Sequence, residues 1–94
     1  MLVLPIQKKW FKMILSGEKK EEYREIKPYY DERFRKVFNE SGVGEIIFRN
    51  GYGKNVPSIL CLCVLSKGYG RKEWGAKPGQ EYYVLSIESV EEIF

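Results

Sequence analysis

The chain has 94 residues, a formal net charge of +3, no histidine and two cysteines. That length holds one small domain whose apolar residues must be mostly buried. Without histidine neither a Ser-His-Asp nor a Cys-His mechanism is available, and Cys61 and Cys63 alone cannot build a four-ligand zinc site, so no metal and no cofactor is expected.

Leu2 to Ile6 reads as a short strand, with Pro5 placing it at an edge. The apolar run from Met1 is only six residues long and its lysines follow rather than precede it, the wrong length and order for a signal peptide or membrane span. A soluble, cytoplasmic protein without membrane contact is expected. From Lys8 to Ser16, Trp10, Phe11, Ile14 and Leu15 share one helical face, and Gly17 supplies a left-handed cap. Glu21 to Ile26 lacks a helical stripe and reads as a second strand. Alternation sets Glu22 and Arg24 on one face and Tyr23 on the other, where it is expected in the core.

Pro28 suits the first turn of a second helix, along which Tyr30, Phe34, Val37 and Phe38 form the apolar stripe. Tyr29 and Arg33 flank the start of this helix and are placed to rim a cleft, though helix packing and surface charge explain them more simply. Glu45 to Arg49 is strand-like, Asn50-Gly51-Tyr52-Gly53 is a turn, and Ser58 to Lys67 is a long apolar strand in which both cysteines read as small buried residues. Gly68-Tyr69-Gly70 is expected to break it. A loop from Arg71 to Gln80 then leads to a last strand, Tyr82 to Glu88. Strand, helix, strand, helix and three strands predict a mostly antiparallel sheet curled toward a barrel.

Three stretches carry candidate chemistry. Glu22 and Arg24 stand about 7 Å apart along one strand face, and Lys19, just after the helix cap, is able to lean over that face. Such a lysine is expected to serve a ligand more than the fold; the same stretch also reads as a solvated edge strand, or as a Glu22–Arg24 pair that is architecture alone. In Phe48-Arg49-Asn50-Gly51-Tyr52, Arg49 suits a phosphate and Tyr52 a base; the same residues also make an ordinary polar hairpin. Lys67-Gly68-Tyr69-Gly70-Arg71-Lys72-Glu73-Trp74 interleaves base and aromatic as single-strand binding surfaces do, with Lys67, Tyr69 and Trp74 as candidates; a solvated loop with Trp74 tucked back fits equally well. The mild net basicity permits a polyanion without requiring one.

Gly17-Glu18-Lys19-Lys20-Glu21-Glu22-Tyr23-Arg24 fits Gly-x-Lys-x-x-Glu-x-Arg, the signature of the ASCH domain, which the chain resembles over nearly its whole length. The resemblance implies an α+β fold: a small PUA-like β-barrel of mostly antiparallel strands with two helices packed on it, as one domain over residues 1–94. It implies that Lys19, Glu22 and Arg24 line a cleft between barrel and helices that takes single-stranded RNA or a nucleotide, in RNA metabolism or regulation. The alternative it implies is a small hydrolase, a ribonuclease or an acetylcytidine amidohydrolase-like enzyme, with Lys19 and Glu22 catalytic and Glu73 as a spare carboxylate. The threonine expected of those amidohydrolases is here Glu22.

Overall fold

The computed structural model describes residues 1–94. Its elements run β1 (Leu2–Ile6), α1 (Lys8–Ser16), β2 (Glu21–Glu25), α2 (Pro28–Val37), β3 (Val43–Asn50), β4 (Ser58–Tyr69), a 3-10 turn (Lys72–Trp74) and β5 (Glu81–Glu92). The five strands form one sheet in the order β1-β3-β4-β5-β2. It is a mixed sheet and not the mostly antiparallel one expected. β1 runs parallel to β3, while the β3–β4, β4–β5 and β5–β2 pairs are antiparallel. The parallel pair is possible because two helices and β2 separate β1 from β3, far more chain than a crossover needs.

The sheet curls into a half-barrel, helped by the bulge at Leu62/Cys63, which bends β4 against β5. β1 and β2 remain as its two edges, so an open seam runs between them. Pro5 lies on the edge strand as expected.

Both helices bury their stripes in a single core: Phe11 and Ile14 of α1 and Phe34 and Phe38 near α2 pack with Ile46, Phe48, Ile59 and Leu85 from the strands. Cys61 and Cys63 are free thiols in that core, and burial pushes both up to about 12. β3 passes close under the end of α2 because residue 44 is glycine; an added Cβ would stand 2.8 Å from the Val37 carbonyl oxygen and 2.9 Å from the Phe38 ring. Two expected boundaries move. β4 does not break at Gly68 but pairs with β5 through Tyr69, and β5 extends to Glu92. No helix is long and apolar enough to cross a membrane.

Candidate functional site in the open seam

The seam is bridged by side chains where a closed barrel would have backbone pairing. α1 ends on Gly17, whose φ of 86° lies in the left-handed region, and the Lys19 amide returns to the Met13 carbonyl at 2.9 Å. This reversal sends the Lys19 stem back under the helix. Its side chain has no exposed surface and its Nζ lies 3.2 Å from Glu22 Oε1. The ammonium also donates to the Trp74 carbonyl, with the Trp10 and Tyr23 ring centroids at 4.7 and 5.0 Å.

Glu22 passes the chain of charges outward. Its Oε2 accepts from Arg24 Nη2 at 2.9 Å, and the same Nη2 donates to the Pro5 carbonyl at 3.3 Å, crossing from β2 to β1. Arg24 Nη1 donates to the Tyr30 hydroxyl at 3.1 Å. Arg24 Nε is buried without a partner, so the guanidinium keeps donor capacity after its structural bonds are made.

Burial lowers the Lys19 ammonium pKa, with the Glu22 carboxylate opposing it. For Arg24, burial pulls the same way, but the Glu22 charge and the Tyr30 hydrogen bond outweigh it, and the pKa is raised. Lys19 and Arg24 converge on the one Glu22 carboxylate, with Glu21 a weaker influence on Lys19, and the free Arg24 Nε in this poorly solvated place favours an incoming anion.

Outside this floor lies a cleft of about 580 Å³, lined among others by Trp10 from α1, Glu22 and Arg24 from β2, and Asn50, Gly51 and Tyr52 after β3. Pro5, Ile6, Gln7 and Lys8 form its β1–α1 wall. The β3 turn is held against β1 by the Gly51 amide, which donates to the Ile6 carbonyl at 2.9 Å. With Gly51 at φ 89°, the chain turns sharply and leaves Tyr52 87% exposed at the cleft rim.

Of the candidates, Glu22, Arg24 and Tyr52 line this cleft, and Lys19 stands behind it, bonded to Glu22. Lys19 is held within the fold, its ammonium shared between Glu22 and the Trp74 carbonyl. Arg49 is used within its own turn, donating to the Gly53 carbonyl at 2.6 Å. Lys67 Nζ sits 5.4 Å from the Tyr83 ring, and Tyr69 is exposed at the end of β4, opposite Glu81. Both lie on β4 in register with β5, and neither lines the seam cleft. Trp74 contributes its carbonyl to Lys19, while its ring lies 4.6 Å from the Arg71 guanidinium. Glu73 pairs on the surface with Arg71 at 3.0 Å.

Tyr23 is half-buried rather than core, its hydroxyl donating to Glu21 at 2.7 Å and accepting the Arg71 amide at 2.9 Å. On β2 it is Glu22 that faces inward. Sequence reading missed Trp10, Gln7, Lys8 and Tyr30 as site residues. For Trp10 the usable signal was its position on the α1 stripe just before the charged stretch. No cluster of three or more His, Cys, Asp or Glu side chains suited to a metal is present.

Compared with protein-family models, with curated proteins and with solved structures, the chain matches none of them.

Proposed function

We propose that this chain is an ASCH-type, PUA-like domain that binds RNA or a nucleotide in the seam cleft. The observation that carries the reading is the Lys19–Glu22–Arg24 chain of charges under an open cleft flanked by two aromatic side chains, Trp10 and Tyr52. A free guanidinium donor at the floor suits a phosphate, and aromatic walls suit a base. Lys8, Gln7 and Asn50 on the rim add one more charge and amide groups able to meet base edges.

The hydrolase alternative asks Lys19 to reach a substrate atom. That ammonium is enclosed by Glu22, the Trp74 carbonyl and two rings, so binding is the better supported activity. Titration with nucleotides and short single-stranded RNA tests it. Affinity is expected to fall with salt at a log-log slope of about −0.7 per phosphate contact. Tyr52→Ala is expected to weaken binding by about 1 to 3 kcal/mol, the usual worth of base stacking, without moving the melting temperature. Salt-independent affinity, or no binding at millimolar nucleotide, overturns the proposal.

A further inference from the structure

We propose that the seam cleft is one half of a longer groove, and that its ligand is a single-stranded RNA segment of at least two nucleotides with Tyr52 dividing neighbouring bases. This rests on the nucleotide-binding reading above. A second depression, of about 300 Å³, adjoins the cleft and is lined by Val3, Lys27, Tyr29 and Tyr30 together with Pro5, Arg24 and Tyr52. The last three line both compartments. Arg24 thus stands at the junction, where the phosphate linking two nucleotides would lie, and Tyr52 projects beside it.

Each compartment holds the two components that a nucleotide needs. The first has Trp10 with Lys8, and the second has Tyr29 with Lys27. Tyr29 is half exposed, and its ring is held from two sides: the Arg33 guanidinium lies 3.5 Å from its centroid and Tyr30 meets it edge-on at 4.9 Å. A ring fixed in this way and still half exposed meets a base at little ordering cost. The groove's direction is also set by charge. The depression on the β2 side of Arg24 is lined by Glu22 and Glu25 as well as Arg24 and Lys27, so its charges balance, with Lys27 3.8 Å from Glu25. Lys27 and Arg24 are the only charged residues lining the Tyr29 compartment, which therefore suits a second phosphate better.

The test uses the full chain and calorimetric titration with nucleoside monophosphates of the four common bases and their 5′-phosphorylated homodimers and homotetramers. For the best-bound base, the dimer is expected to bind at least about fivefold tighter than the monomer, the lower end of one stacked base. Tyr29→Ala is expected to bring the dimer-to-monomer ratio toward one. Equal affinity for monomer and dimer, or a ratio that survives Tyr29→Ala in a variant melting like the parent, overturns the two-compartment groove alone. No binding at any length overturns it together with the nucleotide reading.

Discussion

Lys19 is buried at 1% exposure, and its neighbour Lys20 is exposed. The two should respond oppositely to truncation. Lys19→Ala removes one partner of a buried ion pair and leaves the Trp74 carbonyl without its donor, and a loss of about 3 kcal/mol or more is expected. Lys20→Ala should stay within about 0.5 kcal/mol, as exposed substitutions do. Glu22→Gln should cost more than Lys19→Ala, because it removes the counter-charge of two cations, whereas Lys19→Ala leaves Glu22 its Arg24 partner. Urea unfolding of the three variants checks the order. The spacing of Glu22 and Arg24 on one face was legible from alternation alone. Which face turns inward was not: an aromatic residue and a carboxylate compete for the interior, and tyrosine satisfied at its hydroxyl by Glu21 and Arg71 is content half outside. The pairing that lets Glu22 win comes from Lys19, which only the Gly17 turn brings back beneath the helix.

At the scale of elements, most strands and both helices follow from apolar period, Pro5, Pro28 and Gly17, since each is decided by neighbours within a few residues. The end of β4 is different. Gly68 and Gly70 suggest a break, but Gly68 is opposite Tyr82 in a continuing ladder, and a ladder partner is invisible to local reading. Glycine therefore means different things at two positions. At Gly44 an added methyl meets backbone that cannot step aside, so Gly44→Ala should lose about 1 to 3 kcal/mol. At Gly68 nothing lies within 4 Å of the added atom. Gly68→Ala should be neutral or stabilising by up to about 1 kcal/mol through the unfolded chain. Thermal melts of the pair separate a seat for α2 from a spare glycine.

For the whole molecule, the buried acids set the response to alkali. Cys61 and Cys63 rise from 9.0 to about 12 in the fold, and Tyr83, bonded to Asp31, rises from 10.0 to about 12. In that range the unfolded chain releases protons that the folded chain retains, so stability falls as pH climbs. Each buried thiol contributes up to about 1.4 kcal/mol per pH unit. Lys19 has the opposite sign, because its lowered pKa makes the fold gain relative stability as pH rises toward 10.5. Tyr23, raised by burial, adds to the decline, and one group does not offset four. Unfolding free energies measured from pH 8 to 11 should decline above 9, with a shallower slope in the Cys61→Val, Cys63→Val double variant. A slope unchanged by that replacement would assign the effect elsewhere. The order β1-β3-β4-β5-β2 has a further consequence, for the time at which the site comes into being. The two strands synthesised first have no partner in each other: β1 must await residues 43–50 and β2 must await residues 81–92. Loop closure over such separations is slow compared with the adjacent pairings β3–β4 and β4–β5, which therefore form the template. The seam is therefore expected to close after that template, which would make binding competence a late event of folding.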